Sequence, residues 1–122
     1  MTKCEIIFYE KDNGEVPVEK FLNGLELKKR AKTMRTIDLL QNNGWKLRSP
    51  YSKELSDGIF ELRTQFGSDI TRVFYFFVIG KQAVLTHGFV KKSVKTPPEE
   101  IERAKRYRQD YLRRQWKDRN GY

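Results

Sequence analysis

The sequence has little cysteine and no long apolar run, and each shortage excludes a class of protein. The 122 residues include one cysteine, Cys4, so no internal disulfide is possible, which suits a reducing compartment. No apolar run approaches the roughly 20 residues that a membrane-spanning helix needs. The first residues lack the charged start, apolar stretch and cleavage site of a signal peptide. We therefore expect a cytoplasmic protein without a membrane partner.

Metal-binding and cofactor-binding patterns are also missing. The sequence has no HExxH, CxxC or DxD spacing and no glycine-rich phosphate loop. Two-metal nuclease sites need clustered carboxylates, whereas the predicted sheet carries only Glu61 and Asp69. A Cys4–His87 nucleophile pair would require a chance meeting, with nothing to orient the histidine. We expect chemistry that uses neither a metal ion nor a cofactor.

Positive charge is abundant and unevenly placed. The chain has 25 Lys and Arg against 16 Asp and Glu, a net charge of +9. Residues 91–119 hold 11 of the cationic and 5 of the acidic side chains, so +6 of the total lies in the last quarter. A small protein of this charge attracts polyanions, which favours nucleic acid, the ribosome or an acidic protein partner.

Strand-like and helix-like segments alternate along the chain. Strands are predicted at residues 4–9, 59–64, 70–79 and 83–90, and the last three are joined by hairpin-like links. The polar residues 45–58 are predicted to form a loop, because they contain Pro50 and an Asp57-Gly58 turn signal.

Three helices complete the predicted order. A short one begins near Pro17, a longer one covers residues 25–43, and the last is opened by a Thr96 cap. The stripe predicted to be buried on the second helix is Leu27, Arg30, Met34, Ile37 and Gln41. We predict one α+β domain over residues 1–122, with a mostly antiparallel twisted sheet of about four strands. Two N-terminal helices and one C-terminal helix would cover one face of that sheet.

Basic side chains on the predicted strands are the candidates for chemistry. In a meander, Arg63, Arg72 and the Lys91-Lys92 pair can converge, with Lys53 before the meander and His87 at its end. Arginine binds phosphate oxygens in pairs and stabilises the charge that builds in a transition state. RNA needs no metal for cleavage, because its own 2′-OH can attack the adjacent phosphate once a base removes the proton.

Plainer interpretations stand beside this one. Arg63 could be an ion-paired residue with Glu61 as its partner, and His87 a strand histidine whose hydrogen bonds are satisfied. The aromatic run at residues 74–77 is typical of a core. The basic last helix could hold RNA phosphates, or it could be a solvated face that an acidic partner covers.

Four spaced segments carry a resemblance to a known family. They are ELR at residues 61–63, RVFYFF at 72–77, HGFVKK at 87–92 and TPPEEIERA at 96–104. The ordered series resembles the HigB-like branch of the RelE/ParE toxin superfamily, over roughly residues 53–111. The resemblance implies a RelE-like fold and a toxin of a type II toxin–antitoxin pair that cleaves mRNA in the ribosomal A site. It also implies a small helix-turn-helix, HigA-like antitoxin as partner.

The resemblance assigns roles to individual residues. Arg72 would contact the scissile phosphate, Lys92 and Lys91 occupy basic positions after the last strand, Arg63 matches a recurring basic position, and Lys53 is a looser match. Apart from the resemblance, the basic character of the last helix makes Arg103, Arg106 and Arg113 candidates for binding RNA phosphates.

One departure leaves the general base open. Many relatives place a tyrosine or histidine near the C-terminal end, whereas Tyr107 and Tyr111 look like core residues here, so Lys53, Lys91 and His87 are all candidates. Two alternative functions remain: ParE-like inhibition of DNA gyrase, and non-catalytic binding of nucleic acid or ribosomes.

Overall fold

A computed structural model describes residues 3–78, 81–91 and 95–121 of the chain. These residues form five strands and three α-helices. In chain order they are β1 (Glu5–Phe8), α1 (Pro17–Asn23), α2 (Leu27–Asn43), β2 (Ser52–Ser56), β3 (Ile59–Phe66), β4 (Asp69–Val78), β5 (Gln82–Lys91) and α3 (Pro98–Asn120), with a 3₁₀ turn at Gly44–Lys46.

The strands form one mixed sheet in the order β1-β5-β4-β3-β2. Strands β2 to β5 make an antiparallel meander, and β1 lies parallel to β5 at the edge. The predicted α+β class and the meander are confirmed, but the prediction of about four strands was wrong. The missing strand is β2, which lay inside the predicted loop. Its sequence, SKELS, lacks an apolar alternation because it forms the opposite edge of the sheet, where polar residues are usual.

Helices cover both faces of the sheet, so the prediction that they share one face was also wrong. Helices α1 and α2 pack on the face that carries Val73 and Tyr75, while α3 packs on the face that carries Phe74 and Phe76. Residues 70–76 of β4 are all buried. A strand that is apolar on both sides needs a layer of structure against each, and α3 supplies the second layer.

A β-bulge in β5 decides which face His87 occupies. Phe74 is opposite His87 whereas Tyr75 is opposite Leu85, so Thr86 is an extra residue in β5. The Thr86 hydroxyl donates to the carbonyl oxygen of Phe74 at 3.2 Å. Because side chains alternate along a regular strand, His87 would otherwise share the face of Leu85. The bulge turns His87 toward α3.

The buried side of α2 is more polar than the sequence predicts. In the predicted stripe, Leu27 is 76% exposed and Met34 is 40% exposed. Buried in their place, beside the predicted Ile37, are Thr33, Thr36 and Leu40. The two threonines can be buried because the sheet offers threonine partners: Thr33 Oγ1 lies 3.0 Å from Thr71 Oγ1, and Thr64 donates to Thr36 at 2.8 Å.

Helix α3 is tied to the sheet by aromatic and ionic contacts. Tyr107 and Tyr111 pack against the core on this face, as the sequence indicated, and Tyr107 stacks on Tyr9 with ring centroids 4.8 Å apart. The Tyr9 hydroxyl donates to Asp110 at 2.6 Å, and this hydrogen bond lowers the pKa of Asp110 to about 2. Arg114 binds the same carboxylate at 2.7 Å. None of the helices in the described ranges is long and apolar enough to span a membrane.

Substitution of Gly88 by alanine tests the close approach of α1 to the sheet. A methyl group at position 88 would lie 2.1 Å from Cδ2 of the partly buried Phe21 ring, so the ring must move. We expect Gly88→Ala to lower the free energy of unfolding by about 1–3 kcal/mol, measured by urea titration. Gly24→Ala is the control, because its methyl group meets only ordinary contacts at 3.5 Å. Combining Gly88→Ala with Phe21→Ala should cost less than the two separate losses added together; strict additivity would contradict this account.

Candidate active site

Strand register brings the predicted basic residues of the sheet together on the face that α3 covers. Arg63 of β3 lies directly opposite Arg72 of β4. One row along, Lys53 of β2 lies opposite Glu61, which in turn lies opposite Phe74. Side chains that are opposite one another in antiparallel strands have Cβ atoms about 5 Å apart. Two neighbouring rows of the sheet therefore carry Lys53, Glu61, Arg63 and Arg72.

The carboxylate of Glu61 is the centre of this cluster. Its Oε1 lies 3.1 Å from Nε of Arg63, and its Oε2 lies 3.2 Å from Nε of Arg72. The hydroxyl of Thr96, just before α3, also donates to Glu61. Two guanidinium groups around one carboxylate leave a net positive charge. Sequence reasoning considered Glu61 only as an ion-pair partner of Arg63; the available signal was its i, i+2 spacing from Arg63, which puts both on one face.

The side chains of the two arginines differ in solvent exposure. The side chain of Arg72 is 0% exposed and that of Glu61 is 1% exposed, whereas the side chain of Arg63 is 23% exposed. The resemblance to RelE-type toxins implies that Arg72 touches the scissile phosphate. In this structure Arg72 is enclosed, and Arg63 is the arginine of the pair that reaches solvent. Both arginines are bound to the same carboxylate, so Arg72 and Glu61 together hold Arg63.

Lys53 is exposed at the edge of the same face. It lies in β2, directly across from Glu61 and diagonally adjacent to Arg63. The structure therefore brings a primary amine and a partly exposed guanidinium to one edge of the sheet. Both residues were predicted to belong to the site, but Lys53 was predicted to lie in a loop. Because Lys53 lies in strand β2, the alternation of side chains along the strand determines the sheet face to which it belongs.

His87 is buried and hydrogen-bonded. Its Nε2–H donates to Oε1 of Glu100 at 2.9 Å, Nδ1 lies 3.1 Å from the Thr86 hydroxyl, and the ring stacks on Phe74. Burial lowers the pKa of His87 to about 4, so the ring is neutral at pH 7. This is the environment of a satisfied strand histidine, the plainer of the two interpretations of the sequence.

The remaining predicted site residues are spread more widely. Lys91 ends β5 with its backbone opposite Ile70, but its side chain and the whole of Lys92 lie outside the described residues. Arg103 lies 3.8 Å from Glu100 and so borders the His87 region, while Arg113 pairs with Asp110 at 2.7 Å. Those two arginines are ten positions apart in the helix, about 15 Å along α3.

Arg63 is one of the residues that line an open cleft. The cleft has a volume of about 380 Å³ and lies where β3 continues past its last partner in β2. Within the ranges that the structure describes, no group of three His, Cys, Asp or Glu side chains is placed to hold a metal ion.

Comparison with known proteins gives one family. Residues 20–109 match the model of the family described as "Phage derived protein Gp49-like (DUF891)". The match covers 90 of the 122 residues, from within α1 to within α3, and includes the whole meander and the Glu61 cluster. No curated protein matches the chain.

Removing the charge of Glu61 should be strongly destabilising. Glu61→Gln leaves the buried Arg72 and its neighbour Arg63 without their shared carboxylate, which typically costs about 3–5 kcal/mol. Urea titration would measure the loss. Glu54→Gln, an exposed change in the neighbouring edge strand β2, should alter stability by less than about 0.5 kcal/mol. A loss for Glu61→Gln as small as that of the control would show that the carboxylate does not hold the arginines.

The neutral state of His87 predicts a pH dependence of stability. The folded-state pKa, about 4, lies below the ordinary value of 6.5, so the unfolded chain binds more protons between these pH values. The free energy of unfolding should therefore fall as pH drops from about 7 to 4.5, by at most about 3 kcal/mol. The chain has a single histidine, so His87→Gln should flatten the profile between pH 7 and 5. A profile unchanged by His87→Gln would contradict the assignment.

Proposed function

Because the chain belongs to the Gp49-like family of phage-derived proteins, a toxin-like family related to the RelE toxins, we propose that it is the toxin of a type II toxin–antitoxin pair. We place it in the HigB-like branch and propose that it cleaves mRNA as a metal-independent endoribonuclease. The observation that carries the proposal is the cluster of Lys53, Arg63 and Arg72 around Glu61, with Arg63 and Lys53 reaching solvent at one edge.

The proposed reaction uses the RNA's own nucleophile. The 2′-oxygen attacks the adjacent phosphorus, the bond from phosphorus to the 5′-oxygen breaks, and the products are a 2′,3′-cyclic phosphate and a 5′-hydroxyl. Arg63 binds the non-bridging phosphate oxygens and stabilises the charge that builds on them. In its uncharged form, Lys53 takes the proton of the 2′-OH, and that proton passes through solvent to the leaving 5′-oxygen, which becomes the 5′-hydroxyl.

Arg72 acts through Glu61 in this scheme. The Glu61 carboxylate forms ion pairs with both arginines, and we propose that this shared contact restricts the Arg63 guanidinium. A side chain held in one geometry loses less entropy when it binds phosphate than a free surface arginine would. Arg72 is thus a positioning residue, and Lys91 and Lys92 remain candidates for further phosphate contacts and, for Lys91, the base.

The proposed partners follow from the family and from the charge. A toxin-like family pairs with an antitoxin, and we propose a helix-turn-helix protein in that role. Helix α3 presents Arg103, Arg106 and Arg113 on exposed positions, which suits contact with mRNA and ribosomal RNA phosphates. The proposed site of action is the translating ribosome, in the cytoplasm.

A second candidate function is binding without cleavage. It is favoured by the burial of two predicted catalytic side chains, Arg72 at 0% exposed and His87 at 4% exposed. A ParE-like inhibitor of DNA gyrase, or a protein that only binds nucleic acid, needs neither of them at the surface. The two candidates differ in what happens to mRNA when the protein is expressed.

Mapping mRNA 5′ ends after induced expression tests the proposal. Wild type should produce new ends inside coding regions within minutes, together with growth arrest. Arg63→Gln should reduce cleavage about 100-fold or more, the usual loss when one transition-state donor is removed. Arg35→Gln is the matched control, since it removes an exposed charge from α2 at a position that does not line the cleft. Thermal unfolding would show that the Arg63 variant remains folded.

The other outcomes each identify a different function. Growth arrest with intact mRNA and a DNA-damage response would indicate that the protein inhibits DNA gyrase and is not a nuclease. Binding of RNA without arrest or new ends would leave a non-catalytic binding protein. Cleavage by purified protein on mRNA-programmed ribosomes in the presence of EDTA would support the metal-independent route.

A further inference from the structure

The cleft beside Arg63 is a product of unequal strand lengths. The pairing of β2 with β3 ends at Ser52 and Leu62, and β3 then continues through residues 63–66. The segment before β2 lies on one side of this extension, and α2 lies on the other. The residues that line the resulting cleft are Lys32, Thr36, Pro50, Tyr51, Arg63, Thr64, Gln65 and Ile70.

Charge and aromatic surface are combined in this cleft. Two of the lining residues, Lys32 and Arg63, are cationic, and among the residues that the structure describes no acidic residue lines the cleft. Lys32 is exposed and has no ion pair within the described ranges. Tyr51 is 44% exposed. Cations bind phosphate and an exposed aromatic ring stacks on a base, so the pair of features suits a single-stranded nucleotide.

Most polar groups in the cleft are already engaged. The Thr64 hydroxyl donates to Thr36, which in turn donates to the carbonyl oxygen of Lys32 at 3.2 Å. The Gln65 amide donates to the carbonyl oxygen of Gly67 at 2.6 Å. These groups form a fixed wall and have little capacity left to read the edge of a base. Recognition would therefore depend on charge and stacking, which tolerate any base.

We propose that this cleft is a nucleotide subsite for single-stranded RNA, next to the phosphate that Arg63 binds. Tyr51 stacks on one base, and Lys32 binds the adjoining phosphate. The volume of about 380 Å³ is at the small end of ligand pockets, which suits one nucleotide. The inference rests on the proposed function, because it extends the same site from the scissile phosphate to the neighbouring nucleotide. An acidic peptide could use the same cations, but it would not need an exposed aromatic ring in the same cleft.

Binding of a non-cleavable RNA tests the subsite separately from cleavage. The probe is a fluorescein-labelled 2′-O-methyl hexanucleotide, which lacks the attacking 2′-OH, and the measurement is fluorescence anisotropy with the full chain. Tyr51→Ala should raise Kd roughly tenfold, as expected when stacking on one base is lost. Tyr51→Phe should retain binding within about twofold, because it keeps the ring. The Tyr51 carbonyl accepts a hydrogen bond from Arg63, and these substitutions leave that backbone contact in place.

A charge variant provides an independent measurement. Lys32→Gln should weaken binding and reduce the slope of log Kd against log salt by about 1, the loss of one phosphate contact. Lys28→Gln removes an exposed charge from the same helix outside the cleft, and its salt slope should match wild type. Adenine and uracil hexamers should bind within a few-fold of each other, because stacking is sequence-tolerant.

The outcomes separate this inference from the proposed function. Equal binding by wild type, Tyr51→Ala and Lys32→Gln would overturn the subsite. The proposed mRNA cleavage would be unaffected by that result, because the mapping of mRNA 5′ ends tests it separately. Absence of binding by wild type at low salt would overturn it as well. Displacement of the hexamer by polyglutamate, with the same dependence on Tyr51, would assign the cleft to an acidic peptide instead.

Discussion

The carboxylate of Glu61 holds two guanidinium groups on a sheet face that α3 covers. Glu61 and Arg72 are both almost fully buried, and isolated charges in such a place would cost several kcal/mol each. Their mutual contact, together with Arg63 and the Thr96 hydroxyl, offsets that cost. The cluster therefore links β3, β4 and the start of α3 in one set of contacts. A shift in the strand register, or in the position of α3 on the sheet, would leave a buried charge without its partner.

Coverage of both sheet faces determines where chemistry can occur. Arg72 and His87 are buried, so the middle of this face is closed to a large substrate such as RNA. The edge beside β2 remains open, because β2 is short and β3 continues past it. Lys53, Arg63 and Tyr51 all reach solvent there. The structure thus separates a buried ionic support from an exposed edge that carries two cationic side chains and an aromatic ring.

The histidine illustrates how local geometry changes an assignment. In sequence, His87 lies near the basic Lys91-Lys92 pair and is a reasonable acid or base. The bulge at Thr86 turns His87 toward α3. There Glu100 accepts a hydrogen bond from Nε2–H of the imidazole, and the Phe74 ring stacks on it. Burial then lowers its pKa and keeps the ring neutral. A bulge depends on one extra residue between two paired positions, and no pattern of apolar and polar residues in β5 marks that residue.

The sequence by itself determined the α+β class, the meander and the pairing of basic residues on one face, because strong apolar alternation and short links leave few other arrangements. It also placed Arg63 and Glu61 side by side through their i, i+2 spacing. Only the tertiary structure decided that β2 is an edge strand, that α3 covers the second face, and that threonines rather than Leu27 and Met34 are buried on α2. Those features depend on partners distant in the chain, such as Thr71 for Thr33 and Tyr9 for Asp110, whose proximity local periodicity cannot encode.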